Sequence, residues 1–172
     1  MRAGAFGFST SRLLQHRTAE GEPIPSYGAA QEELLEIADA LADVGRGWIQ
    51  TVGDFEDAID AEFELRRQLA KRSGMPLTMT LLQKEARPDE WRDLLGRIEE
   101  ANAEGLKITA QVRGRPTSVL LGFELSINPF SACPSWAQVK DLDFDARMAA
   151  LHDPALRARL VSEPCGDIVR KR

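Results

Sequence analysis

The feature that most constrains this chain is a rhythm. Short apolar runs centred near Ile49, Met79 and Thr109 recur at thirty-residue intervals, and the first two lead into segments with helical spacing. "GRGWIQTVGD" precedes "FEDAIDAEFELRRQLAKRSG", where Phe55, Ile59, Phe63 and Leu69 recur with Ala58, Ala61 and Leu65 filling in. "MPLTMTLLQ" precedes "RPDEWRDLLGRIEEANAEG", which has Pro88 and Asp89 in its first turn and an apolar face of Trp91, Leu94, Leu95 and Ile98. "LKITAQVRGRP" is the next strand. Gly74 and Gly105 stand where helices are expected to stop. A strand–helix repeat of this length is the pattern of consecutive βα units, because a parallel strand pair needs a crossover of a dozen or more residues.

An opening strand, residues 3 to 9 in "GAFGFSTSR", joins the series through "AAQEELLEIADALADVG", a helix with Leu34, Leu35, Ile37, Leu41 and Val44 on its inner side. The linker between them, "SRLLQHRTAEGEPIPSYG", is long and polar, and α/β folds keep their sites on such loops. Past Pro116 the pattern changes. "TSVLLGFELSINPF" has no clear period and reads either as a short buried helix or as an extended piece. Three short amphipathic helices are then expected, with Asp143 and Asp153 at two of the starts and Pro154 opening the last.

The fold class read from this pattern is α/β: four consecutive βα units of a TIM-type (β/α)8 barrel with parallel strands, residues 1–129, followed by a helical insertion, residues 130–172. A closed barrel needs about 250 residues and eight strands, so the expectation is a slice of one; a small doubly wound domain is the alternative. Either leaves two sheet edges unpaired, which makes self-association through open edges an expectation.

The net charge is −5, with 22 basic residues scattered among 27 acidic ones. No basic stripe is present, so nucleic acid is not an expected partner. No apolar stretch approaches the ~20 residues of a membrane span, so no membrane partner is expected either. Cys133 and Cys165 are the only cysteines and have no metal-type spacing. They read as free thiols of a reducing compartment, with the cytoplasm as the expected location.

Sites in parallel sheets lie at the C-terminal ends of the strands. The candidate substrate-binding residues there are Ser9, Thr10, Ser11, Gln50, Thr51, Gln83, Gln111 and Arg113, with Arg12, Asp54, Thr78, Thr80, Lys84 and Arg115 nearby. His16 and His152 are the only histidines, neither has a second ligand at helix or strand spacing, and both read as surface residues. Ser9 lacks a paired base that would make it a nucleophile, and "GFSTS" is not a nucleophile elbow. Asp54, Glu56 and Asp57 read as the acidic first turn of a helix. Arg113 and Arg115 either bind a substrate carboxylate or solvate a loop.

"GAFGFSTSR", the long loop and "EELLEIADALADVGRG" together resemble the middle of the N-acyl-D-amino-acid deacylases, the D-aminoacylase branch of the metal-dependent amidohydrolases. The resemblance runs from about Gly4 to about Pro129. It implies a central fragment of a zinc-dependent (β/α)8 enzyme that hydrolyses the amide of N-acylated amino acids. It further implies that the family's early His-x-His pair and late aspartate lie outside this chain, which would be inactive by itself. The two mid-barrel histidines of the family fall at about Thr51 and Leu81, and the lysine after the second falls at Gln83. Threonine is a poor zinc ligand and leucine is none. The expectation is therefore that this segment binds no cofactor, zinc belonging at most to a full-length parent, and that the partner is a small N-acylated substrate. The alternative is a self-contained α/β module that binds a small ligand without catalysis.

Overall fold

The computed structural model describes residues 1–18, 20–53, 59–84, 87–115, 120–125 and 127–166. Asp54, Phe55, Glu56, Asp57, Ala58 and Pro116 lie outside the described residues. The chain divides into two compact units, one of Met1–His16 and Ile24–Thr117, the other of Arg17–Pro23 and Ser118–Arg172. The break comes earlier than the expected boundary after residue 129.

The first unit is α/β. Its strands are β1 (Phe8–Arg12), β2 (Ile49–Gly53), β3 (Leu77–Thr80) and β4 (Ile108–Gln111), and its helices are α1 (Gln31–Val44), α2 (Ile59–Ser73) and α3 (Glu90–Ala103). The strands form one parallel sheet in the order β1-β2-β3-β4. The thirty-residue rhythm is thus a row of strands paired with their sequence neighbours. Each pair is joined by a crossover that carries a helix.

Packing follows from strand parity, because successive side chains point to opposite faces of a strand. The register aligns Phe8, Ile49, Leu77 and Ile108 across the sheet, and two residues further on Thr10, Thr51, Met79 and Ala110. Ile49, Leu77, Met79 and Ile108 join one core with Leu34, Ala38 and Leu41 of α1, Phe63, Leu65 and Leu69 of α2, and Leu94, Ile98 and Ala101 of α3. The three helices therefore cover the same face. On α1 the expected inner side holds at Leu34 and Leu41, whereas Ala38 replaces the flanking Leu35 and Ile37 as the fully buried neighbour.

The opening strand is shifted from its expected position. Residues before Phe8 make a turn in which the Gly4 N–H donates to the Met1 carbonyl at 3.1 Å, and pairing begins where the Phe8 N–H meets the Trp48 carbonyl at 2.8 Å. Gly7 permits that approach, since a Cβ there would overlap the Trp48 carbonyl oxygen. "STSR" is consequently part of the strand and not a tip beyond it.

The second unit is helical and irregular. A short 3-10 helix, Pro134–Gln138, precedes α4 (Phe144–Leu151) and α5 (Pro154–Ser162). Asp143 and Asp153 cap as their positions imply, accepting from the backbone N–H of Ala146 at 2.8 Å and of Ala155 at 2.9 Å. Arg147 ties the unit together: its guanidinium donates to the carbonyls of Phe123, Val139, Lys140 and Leu142. Trp136, Val139, Leu156 and Leu160 form a small core.

Cys133 and Cys165 are not free thiols. They form a disulfide with Cα atoms 4.3 Å apart, across 32 residues of sequence. The packing of α5 against the 3-10 helix brings the two together, and the Gly166 N–H donates to the Ala132 carbonyl at 3.3 Å beside the bond. No described helix is long and apolar enough to cross a membrane.

Two stability predictions follow from these contacts. Gly7→Ala lowers the stability of the first unit by about 1–3 kcal/mol through overpacking. Gly96→Ala, inside α3 where a Cβ meets nothing within 4 Å, raises it by up to ~1 kcal/mol; urea unfolding of the two variants reads the opposite signs. Reducing the disulfide lowers the stability of the second unit by about 3–4 kcal/mol in the chain-entropy account of a loop this size, seen as a lower melting temperature with reductant than without.

Candidate functional site

One face of the sheet carries none of the three helices α1, α2 and α3. The register brings Ser9, Gln50, Thr78 and Thr109 into a single row on that face, one residue from each strand. Ser9 and Thr109 are exposed, Gln50 and Thr78 half-buried. The Ser9 hydroxyl donates to Gln50 Oε1. Towards the C-terminal end of the strands, Ser11 pairs with Val52 and Thr80 with Gln111, continuing the same face. At the opposite end Phe6 stacks on Trp48, with ring centroids 6.3 Å apart and planes 14° apart. A shallow groove runs from these rings along Phe8 to Ser9, Gln50 and Thr78.

Of the candidate residues, Ser9, Ser11 and Gln50 are brought together on this face. Thr10 and Thr51 are not: one residue out of phase, they are 8% and 3% exposed, on the side covered by helices. Thr51 Oγ1 has no hydrogen-bond partner among the described residues. Gln83 lies beyond the end of β3, exposed, and its amide donates to the Pro88 carbonyl at 3.3 Å. Gln111 ends β4 at the sheet's edge, and Arg113 and Arg115 are exposed beyond it.

Two charged clusters stand near the strand ends. Glu62 of α2 receives Arg12 Nε at 3.0 Å and Arg66 Nη1 at 3.0 Å. Arg12 also donates to the Ala29 carbonyl at 2.6 Å, which ties β1 to the start of α1. Arg66 is 1% exposed and fills the space left by the missing side chain at Gly53. Burial lowers the pKa of its guanidinium, and the Glu62 hydrogen bond opposes that shift. In the second cluster the buried Glu90 of α3 holds Lys84 Nζ at 2.9 Å and Arg87 Nη1 at 3.2 Å. The Lys84 contact pairs the charges without hydrogen-bond geometry, since neither Lys84 Nζ nor Glu90 Oε1 has a hydrogen-bond partner among the described residues. Neither paired acid was visible in the sequence. Arg66 did leave a trace there: it falls three residues after Phe63 and three before Leu69, on the apolar stripe of its helix.

A third feature is the contact of Ser11 Oγ with His16 Nδ1 at 2.6 Å. The Leu13–His16 turn folds the loop back over the strand end, with the His16 N–H donating to the Leu13 carbonyl at 3.0 Å. His152 lies in the other unit, exposed, in a groove with Phe130, Leu151 and Leu160.

Zinc does not fit the sheet at the positions the family resemblance singled out. Thr51 and Leu81 are buried in or beside the helix-facing core, at 3% and 6% exposure, and neither offers a good ligand. The described residues hold one group with metal-type proximity, Cys133, Glu163 and Cys165, whose ligand atoms lie within 4.8 Å of one another. Its sulfurs are bonded to each other, and Glu163 is engaged by the Ser135 N–H and hydroxyl, both at 2.8 Å.

Removing the carboxylate between Arg12 and Arg66 takes a charged partner from a buried cation. Glu62→Ala is expected to destabilise the first unit by ~3 kcal/mol, the lower end for breaking a buried pair. Asp39→Asn, which breaks the exposed pair with Arg72, leaves the denaturation midpoint unchanged. Compared with models of protein families, with curated proteins and with solved structures, the chain finds no match.

Proposed function

We propose that this chain forms four staves of an amidohydrolase-like (β/α)8 barrel whose whole hydrolyses a carbon–nitrogen bond in a small N-acylated amino acid. The observation that carries the reading is the one-sided sheet: strand order β1-β2-β3-β4 without reversal, helices on one face, and a row of hydrogen-bonding side chains on the other. A doubly wound sheet reverses its order at a switch point and is covered on both faces. A sheet that winds in one direction curls towards closure, and its uncovered face becomes the interior.

In that setting Ser9, Gln50, Thr78 and Thr109 line the cavity. Their neutral donors and acceptors suit an amide group, which also presents one of each. Arg113 and Arg115, on the loop after β4, suit the substrate carboxylate. These residues bind and orient; no metal-dependent step is assigned to them, because Thr51 and Leu81 supply no ligands. The edges of β1 and β4 offer unpaired backbone groups, through which the chain meets further strands of the same polypeptide or of a second copy. The Phe6–Trp48 pair beside the polar row favours a second reading, in which the groove holds a small ligand with an apolar end and no reaction follows.

Hydrolysis of a panel of N-acyl-D- and N-acyl-L-amino acids, with metal content measured in parallel, separates the readings. Expected is amide cleavage by a translation product that carries further strands on either side, and none by the 172-residue chain alone. Binding of the panel without turnover by the longer product would move the assignment to the ligand-binding reading.

A further inference from the structure

We propose that Ser11 and His16 form a nucleophile–base pair that takes an acyl group from an activated ester, an activity separate from the amide hydrolysis above and independent of it.

The geometry supplies the parts. Ser11 stands on the face opposite α1, α2 and α3, one residue before the C-terminal end of β1, where parallel sheets present their reactive groups. Its Oγ lies 2.6 Å from His16 Nδ1 and accepts the Leu13 N–H at 3.3 Å. An N–H can only donate, so the hydroxyl proton is available to the imidazole; with Nδ1 as acceptor, the ring proton sits on Nε2. That backbone donor also stabilises negative charge as it develops on Oγ. His16 is exposed, and among the described residues its Nε2 has no partner, so the ring is open to solvent and to a leaving group.

The residues around the pair fix it in place. Ser26 Oγ donates to the Ser11 carbonyl at 2.9 Å, and the His16 carbonyl accepts the Ile24 N–H at 3.5 Å. Both ends of the loop turn are thus tied while the two reacting side chains face outward. A solvent-exposed side-chain hydrogen bond contributes little to stability, so folding alone gives weak reason for a hydroxyl and an imidazole to meet here.

The step balances within the pair. The Ser11 O–H bond breaks and its proton passes to Nδ1 as Oγ forms a bond to the ester's carbonyl carbon. The tetrahedral adduct then expels the alkoxide or phenoxide, which leaves with the proton from His16. Water repeats the route, donating its proton to Nδ1 and releasing the carboxylic acid, and Ser11 regains its hydrogen.

The test uses the whole chain, an alkyl fluorophosphonate and p-nitrophenyl acetate. Mass spectrometry after fluorophosphonate treatment is expected to find one adduct per chain, on Ser11. His16→Asn, a change in an exposed loop, is expected to slow labelling about 10²-fold or more, the scale of a positioned base. Ser11→Ala abolishes the adduct, Ser162→Ala, at the end of α5 in the other unit, keeps it, and p-nitrophenyl acetate shows a burst of p-nitrophenol only where Ser11 and His16 are both present. Absence of an adduct, labelling spread over several serines, or an unchanged rate in His16→Asn would overturn the pair. None of these readouts depends on amide hydrolysis, so the failure of one assignment leaves the other standing.

Discussion

Burial of alternate strand residues beneath three helices is the constraint on which the rest of the first unit depends. Ile49, Leu77 and Ile108 lie side by side in the parallel register and are each nearly inaccessible to water. Slipping any of these strands by one residue would turn its apolar side chain out and a polar neighbour into the core. The position of every other strand residue follows. Once Ile49 faces the helices, Gln50 cannot, and Thr51 must.

That constraint also explains the character of the opposite face. Parallel sheets in α/β proteins are ordinarily covered on both sides, and their strands read as nearly continuous apolar runs. Here the runs are interrupted at every second residue by Ser, Gln or Thr, with Val52 the one apolar exception among the four strands, so the sequence already contains a face that does not belong in an apolar core. Two paired carboxylates complete the arrangement at the strand ends. Glu62 and Glu90 each sit between two cations: Glu62 joins Arg66 of its own helix to Arg12 at the end of β1, and Glu90, the first residue of α3, holds Lys84 and Arg87 of the segment after β3. Such clusters gain little net stability over apolar packing, since desolvation offsets the Coulombic attraction. What they contribute is direction: a carboxylate held from both sides fixes where its helix starts relative to its strand.

How much of this was legible in the sequence depended on the range of the interaction. The rhythm, the helices and the caps at Asp143 and Asp153 rest on contacts within a few residues, and they were readable. The limits of the strands were not, because an apolar run continues past the point where pairing stops; "GAFG" reads as strand, yet pairing begins only at Phe8. Assigning Ser9, Thr10 and Ser11 together as one tip ignored the alternation that sends Thr10 to the other face. The Cys133–Cys165 bond depends on how α5 packs, and 32 residues of separation leave no local trace of it. The Ser11–His16 contact spans only five residues, but it needs the turn at Leu13–His16, which no glycine or proline in "RLLQH" announces.

The chemistry the face can support follows from what it lacks. Ser9, Gln50, Thr78 and Thr109 carry no charge, so a neutral ligand laid along them exchanges hydrogen bonds with water for hydrogen bonds with the protein, and no ion has to be desolvated. Positive charge stands outside the row, with Arg113 and Arg115 exposed after the end of β4. Ser11 and His16 stand at the C-terminal end of β1, whereas Arg113 and Arg115 follow β4, the strand at the other edge of the sheet. Neighbouring strands lie about 4.8 Å apart, so the hydroxyl–imidazole pair and the two guanidinium groups stand a sheet's width from one another, and chemistry at one does not require the other.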